Sequence, residues 1–522
     1  MIGLDYGGRM HIDSALAKGY LPKELPPCFF STSFAATIGT ITRPPGGKWT
    51  YPVRFSLNRA GGVRRSLEIP NPFSQYFIAE QCSLHWEKLR RITGRSEISL
   101  SRPLRGGTDR SLRYRSPIDR WGRELIARMP GGRVTLKTDI SQFYPSIYTH
   151  AVDWSIRGKA RAKRDLRGGG LGPNLDKLLR ISRGGQTIGL SVGPDTSWLV
   201  AEVVLSNIDA ALAKKFPGAV RRTARFGDDM TVYASSLGEA DEILAVYQVL
   251  LLEYELAINP VKASIVDGLL PVEASWVRKL RAHRYRDDRD YNLTADVIDL
   301  FDVAFEERSQ HPTQGVLSYA IKRCNPFPAG ADSWPVYRDL VLASIGIESS
   351  TLPHAHAVLE FAHRHGLLVD KSRIAEILNE LLVEHARLEH GFETSWILYM
   401  IRSLSLELDS TSGRAVSAMD DNCSLILLRD ICDRSKRLMR DVSFDAAVTR
   451  AERSDALSSN DWLLAYEYRH NGWCRPKNWD RQVSWKELHR AGVHFFLKKG
   501  KPPGMVLRRR RPSFVASWLY GP

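Results

Sequence analysis

Three aspartates carry the chemistry this chain offers. Phe226-Gly227-Asp228-Asp229 sets two adjacent carboxylates behind an aromatic and a glycine, between the strand-like runs Arg221–Phe226 and Met230–Ala234. Glycine and aspartate punctuate those runs as a tight hairpin does, which predicts both carboxylates at its tip. An exposed tip tolerates paired charges cheaply, so a plain solvated turn accounts for the segment as well as a divalent-metal clamp does. A further aspartate shifts the balance. In Val134-Thr-Leu-Lys-Thr-Asp139-Ile-Ser-Gln-Phe-Tyr144-Pro-Ser146-Ile-Tyr148, the residues Val134, Leu136, Thr138 and Ile140 alternate with Thr135, Lys137 and Asp139. Period 2 places Asp139 opposite the apolar set, at the end of a strand that turns near Pro145.

A strand-end aspartate plus a hairpin-tip Asp-Asp pair is the ligand set with which a polymerase palm holds two Mg²⁺ ions. One ion activates the attacking 3′-hydroxyl and the other holds the triphosphate, the two about 3.5–4 Å apart. Such chemistry is mostly positioning and charge neutralisation, so the carboxylates must ride on rigid strands.

On these motifs the chain resembles reverse transcriptases, and among them the bacterial abortive-infection (Abi) and defence-associated group. Thr138–His150 resembles the first palm motif, with Asp139 in the metal position and Tyr144 in the steric-gate position that excludes a ribose 2′-hydroxyl. Gly189-Leu-Ser-Val-Gly193-Pro-Asp-Thr-Ser197 resembles the glycine turn that leads into a helix, and makes Gly193 a substrate-binding candidate. Phe226–Asp229 matches the aromatic-x-Asp-Asp motif, and Asn259-Pro-Val-Lys262 resembles the lysine motif, whose Lys262 would assist the leaving pyrophosphate. Gly62-Val-Arg64-Arg65-Ser-Leu-Glu-Ile-Pro70-Asn-Pro72 resembles a fingers segment, with Arg65 the triphosphate clamp. Many template-copying members carry Pro-Gln-Gly at the glycine turn; here Ser191-Val192-Gly193 supplies no amide. That weakens template copying and leaves polymerisation untouched.

Composition bounds the rest. A chain of 522 residues, 43% hydrophobic and 25% charged, suits a soluble protein of two or three domains. Its net charge of +16 and pI near 9.6 favour a phosphate-bearing partner. No apolar run approaches the roughly 20 residues of a membrane span, and Met1–Gly19 lacks a signal-peptide core. Cys28, Cys82, Cys324, Cys423, Cys432 and Cys474 are scattered, as buried reduced thiols of a bacterial cytoplasmic protein would be.

The elements that position the aspartates follow from texture. Residues 1–130 are irregular, with one helix near Gln75–Arg91, and form an N-terminal and fingers region. Residues 131–290 carry the strands of a reverse-transcriptase-like palm. Ser236-Leu-Gly-Glu239 reads as a capping box opening a helix with Ile243, Leu244, Tyr247, Leu250, Leu251 and Tyr254 on its core face. Lys279–Asn292 is a charge-dense exit from the palm. Residues 291–522 read as an all-helical, HEAT-like domain with a basic tail: Ala295–Glu307, Pro353–His365, Lys371–Glu389, Thr394–Ser405 and Asn422–Leu438. The fold class is therefore α+β.

Other clusters have ordinary explanations. His354, His356, His363 and His365 share a helical segment but point to several faces. Arg167-Gly-Gly-Gly-Leu-Gly172 lacks the lysine and strand context of a P-loop. The basic runs Arg157–Arg164 and Arg508–Arg511 suit either solvation or nucleic-acid backbone contact.

The expected function is DNA synthesis from dNTPs with two Mg²⁺ ions (Mn²⁺ able to replace them) in anti-phage defence, untemplated and protein-primed. Asp139, Asp228 and Asp229 would be the metal ligands, and Tyr6, Tyr20 and Tyr520 the priming candidates. Single-stranded DNA attached to the protein would be the product. RNA is a further partner, a membrane is not, and a homo-oligomer is expected. The alternatives are a template-copying RNA-directed polymerase of the retron or group II type using a noncoding RNA, and a catalytically silent RNA-binding scaffold.

Overall fold

Short β-branched and aromatic runs bounded by glycine and proline give eight strands among the described residues, and longer periodic segments give the helices that make up most of them. The computed structural model describes residues 10–41, 47–58, 63–106, 109–166, 168–286, 289–324, 330, 332–367 and 370–498. β1 (Val53–Asn58) and β2 (Arg64–Ile69) form an antiparallel hairpin, as do the shorter β3 (Pro103–Arg105) and β4 (Leu112–Tyr114). The principal sheet contains β5 (Val134–Thr138), β6 (Thr223–Phe226), β7 (Asp229–Ala234) and β8 (Ser264–Asp267) in the order β6-β7-β5-β8. Every neighbouring pair in it is antiparallel.

Helix α1 (Asp195–Lys215) and helix α2 (Leu237–Leu252) pack against each other, and α2 lies on β5, β7 and β8. The expected capping box opens α2: Ser236 Oγ accepts the Glu239 N–H at 3.2 Å. Its reciprocal bond falls one residue upstream, with the Glu239 carboxylate accepting from the Ser235 N–H rather than from the cap residue. Ile243, Tyr247, Leu250 and Leu251 are buried as expected, whereas Leu244 and Tyr254 are half-buried. By length and composition α1 is apolar enough to cross a membrane, against the expectation that no segment would be. It is a core helix instead, and it buries Asp195, Glu202 and Asp209 along with its apolar residues.

Two helices expected as single units are broken. The Gln75–Arg91 region divides at His85 into Pro72–Leu84 and Trp86–Thr93. The Asn422–Leu438 region divides because Ser435 caps a new helix, Lys436–Asp441, by accepting the Leu438 N–H at 3.3 Å. Otherwise residues 290–490 are helical among the described residues, from Asp290–Gln310 to Val483–Arg490. Successive helices pack on their first and second neighbours in sequence.

One continuous buried apolar cluster runs from Met10 to Phe496, so the sequence regions share a core. All six cysteines are buried and unpaired. The β1–β2 hairpin is fastened to the helical region by Arg64, which gives a bidentate pair to Glu393 Oε1 and Oε2 at 2.7 and 2.9 Å. Asn71 Nδ2 donates to Leu457 O at 2.8 Å, and Trp462 Nε1 to Ile69 O at 3.1 Å, on the same seam. The first and last described segments also meet: Phe30 N donates to Phe495 O at 3.0 Å and Leu497 N to Cys28 O at 2.8 Å.

Glu393 is fully buried while Arg64 keeps a quarter of its side chain exposed. Removing the carboxylate strands a partly desolvated guanidinium, so Glu393→Ala should lower unfolding stability by about 2–3 kcal/mol. Urea denaturation of parent and variant measures this; a loss within error would show that the pair holds nothing.

Candidate active site

Strand pairing, not proximity in sequence, brings the aspartates together. Phe226 pairs with Asp229, which leaves Gly227 and Asp228 as a two-residue turn between β6 and β7. Gly227 has φ +60° and Asp228 does not share that left-handed geometry, the requirement of a II′-type hairpin that puts glycine first. β7 pairs in turn with β5 through Met230 and Thr138, so Asp139, the next residue after β5, lies beside the turn. It is buried, at 4% exposure. The Phe226 ring stacks on Trp121 at 4.7 Å and meets Tyr114 at 4.8 Å, which fixes the turn's base from the opposite side.

The cluster is electrostatically frustrated. Burial, then the neighbouring Asp139, hold Asp228 above the ordinary carboxylate range. Asp229 lies at the solvent-facing rim, yet burial of its carboxyl group and the charges of Asp228 and Asp139 push it up to about 7. Counter-charge comes from the loop preceding β8. Lys262 Nζ contacts Asp139 Oδ2 at 2.6 Å, and Asn259 Nδ2 donates to Asp139 Oδ1 at 3.2 Å. The same loop is tied to the strand end by the Asn259 N–H, which donates to Asp139 O at 2.7 Å. Asn259 belonged to the lysine motif but carried no expected role; its pairing with Asp139 depends on a loop whose register the sequence does not reveal.

The remaining expected residues separate into two groups. Arg65 on β2 is close enough to act electrostatically on Asp228 and on Tyr144, and Asp228 acts in turn on Tyr144. Burial raises the Tyr144 phenol well above its usual value. Gly193, by contrast, is packed away: at φ +138°, a Cβ built on it would stand 2.6 Å from Pro22 Cγ. Its carbonyl accepts from Arg110 Nη2 at 3.0 Å, so the contacts seen at this half-buried glycine are close backbone packing.

Among the priming candidates, Tyr20 is packed in the core. Its ring is fully buried and its hydroxyl donates to Pro70 O at 2.5 Å. Tyr6 and Tyr520 lie outside the described residues, as do Arg167 and the run Arg508–Arg511. The Arg157–Arg164 run is divided in use. Arg157 is held by Asp153 at 2.5 Å and by Asp165 at 3.0 Å, and Lys159 sits 4.5 Å from the Trp154 ring centre. Arg161, Lys163 and Arg164 remain exposed. His356 is buried against Ser403, its Nε2 3.0 Å from the hydroxyl, and His365 Nδ1 lies on Phe361 O. Among the described residues no group of three or more His, Cys, Asp and Glu side chains is a ready-made metal cage. At the aspartates a lysine supplies the cation. Mutually repelling, partly desolvated carboxylates are nevertheless a donor set whose charge suits a divalent ion.

Comparisons with known proteins do not name a family. No family model and no curated protein matches the chain. Among solved structures, apo telomerase from Candida Tropicalis is 10% identical over 78% of this chain and 71% of that chain, with a TM-score of 0.34. A likeness of that strength carries no functional argument, and the site's own geometry must supply one.

The electrostatics make a testable statement about stability. An unfolded aspartate titrates near 4, whereas Asp229 in the folded, metal-free protein titrates at about 7. Between those values the folded state holds the extra proton, so this group's contribution to stability falls as pH rises from about 4 to about 7. With EDTA present, Asp228→Asn combined with Asp229→Asn should melt higher than the parent at pH 8, and the gap should close towards pH 4. Melting curves with the same gap at both ends would show that the aspartates do not repel.

Proposed function

We propose that the chain is a nucleotidyltransferase of the reverse-transcriptase type, which polymerises DNA from dNTPs. The convergence of Asp139, Asp228 and Asp229 from adjacent antiparallel strands, with Arg65 close enough to act electrostatically on Asp228 and Tyr144, carries this reading. In it, the β6-β7-β5-β8 sheet is the palm, the β1–β2 hairpin is the fingers, and the helical region is a HEAT-like domain in place of a thumb. Bound Mg²⁺ would supply hydroxyl activation and charge neutralisation at the triphosphate. Asp139 and Asp228 would hold the ions with Asp229 supporting them, and Lys262 would leave Asp139 to protonate the departing pyrophosphate. Arg65 binds triphosphate oxygens as a bidentate donor. The Tyr144 ring lies under the sugar.

The reading extends to anti-phage defence and to untemplated, protein-primed synthesis. Val192 supports it, because its backbone carbonyl is occupied by the Glu68 N–H at 2.9 Å and its side chain offers a template base no hydrogen bond. With Tyr20 packed in the core, Tyr6 and Tyr520 are the better candidates for a priming hydroxyl.

The deciding experiment incubates purified full-length protein with labelled dNTPs and Mg²⁺, without nucleic acid, and runs the denatured product with and without protease. Label that enters the protein band and shifts on proteolysis supports protein priming. Label that appears only after RNA or a primer is added moves the activity to template copying. The Asp228→Asn, Asp229→Asn double variant should lose at least a thousandfold of incorporation while staying folded, since amides bind Mg²⁺ far more weakly than carboxylates. Retained incorporation would remove the assignment.

Sugar choice gives a separate measure. Tyr144→Ala opens the space a ribose 2′-hydroxyl needs, so the ratio of dNTP to NTP use should fall by about tenfold or more. Equal use of both sugars by the unaltered protein would end this role for Tyr144.

A further inference from the structure

Beneath the Gly227–Asp228 turn lies a fully buried charged side chain whose donors are all taken. Arg225, on β6, has no solvent exposure. A guanidinium has five N–H donors, and all of them are used here. Nε donates to Asp209, 3.0 Å from each carboxylate oxygen. Nη2 donates to Asp209 Oδ2 at 2.7 Å and to Glu202 Oε2 at 3.0 Å. Nη1 donates to Glu202 Oε1 at 3.0 Å and to the carbonyl oxygen of Gly227 at 2.7 Å. Glu202 and Asp209 stand two turns apart on α1, so one helix face presents both to β6.

The neighbouring segment completes the arrangement. Residues Ile98 to Leu100 run beside β6, bonded to both the N–H and the carbonyl of Arg225. They place Ser99 Oγ and Ser101 Oγ on Glu202 at 3.0 and 2.7 Å, and Ser96 Oγ on Asp209 at 2.6 Å. Ser101 Oγ then accepts the Gly227 N–H at 2.8 Å. Both peptide groups that flank Gly227 are thus gripped by one buried network. A two-residue hairpin turn ordinarily closes through its flanking residues and leaves its central peptides to water.

Stability alone does not account for this. Buried ion pairs repay their desolvation poorly, and apolar replacements of similar volume are often as stable. Their use here lies in direction: the peptide that carries the Gly227 carbonyl also carries the amide nitrogen of Asp228, so fixing it fixes where that carboxylate points.

We propose that Arg225, with Ser101 and Glu202, is a positioning set that holds the Gly227–Asp228 peptide and so aims the Asp228 carboxylate into the site. The proposal deepens the reading of the site as a polymerase and rests on it for its catalytic consequence. It involves no new bond chemistry. The network touches no reacting atom and acts only through the turn.

Ser101→Ala tests it with the least disturbance, because it deletes one acceptor from the turn and leaves the ion pairs in place; Arg225→Lys removes the Gly227 carbonyl contact more severely. Three measurements on the full chain are needed: amide hydrogen exchange of the peptide spanning residues 224–230, Mn²⁺ affinity from the electron paramagnetic resonance signal of the free ion, and kcat and KM for dNTP. In Ser101→Ala the turn amides should exchange about tenfold faster, Mn²⁺ should bind several-fold more weakly, and kcat should fall about ten- to a hundredfold with KM little changed, as a misplaced catalytic group produces. Turn exchange unchanged from the parent overturns the proposal, as does a loosened turn with parental kcat. Should the unaltered protein incorporate no dNTP at all, the functional reading fails separately, and exchange together with Mn²⁺ affinity still decides whether the network holds the turn.

Discussion

Repulsion among Asp139, Asp228 and Asp229 is the constraint on which the surrounding structure depends. Free side chains with such charges would swing apart into water, so their approach has to be imposed by backbone. Antiparallel pairing of β5 with β7 imposes it on one side, and the left-handed glycine at the turn imposes it on the other. Lys262 and Asn259, brought by the loop before β8, then neutralise and orient Asp139. The site is charged, close-set and held under opposing forces.

The fold distributes that burden widely. Below the turn, a buried arginine is shared between two acids of one helix, and the aromatic contacts of Phe226 brace the turn from the other side. Further out, Arg64 ties the β1–β2 hairpin, which carries Arg65, to the helical region through Glu393. The strand that carries Arg65 is thereby tied to helices more than three hundred positions later in the chain.

Much of this was legible in the sequence where local rules dominate. Alternation through Val134–Asp139 gave the strand and its terminal aspartate, Gly227-Asp228 gave the turn, and Ser236–Glu239 gave the start of α2. Local rules failed where tertiary partners decide. Glu202 and Asp209 sit in a run apolar enough to read as core, and nothing in their spacing names Arg225 as the partner that makes their burial tolerable. Tyr20, between Gly19 and Leu21 in a glycine- and proline-flanked segment, read as a residue free to move; its hydroxyl bond to Pro70 shows the reverse. The breaks at His85 and Ser435 were hidden because apolar periodicity continues across each of them.

The clasp between Cys28–Phe30 and Phe495–Leu497 bears on how the chain is made. Ser33 Oγ donates to His494 O across 461 positions of sequence, and contacts of such separation are the slowest to form because a very long loop must first be closed. During synthesis the aromatic faces of Phe29 and Phe34 that end up against Phe496 and Phe495 stay uncovered until those residues have been made. The segment around Phe29 and Phe34 therefore settles only after Phe495 and Phe496 have joined it. Over that interval its uncovered rings are the surface that a chaperone would shield, or that a second nascent chain would capture.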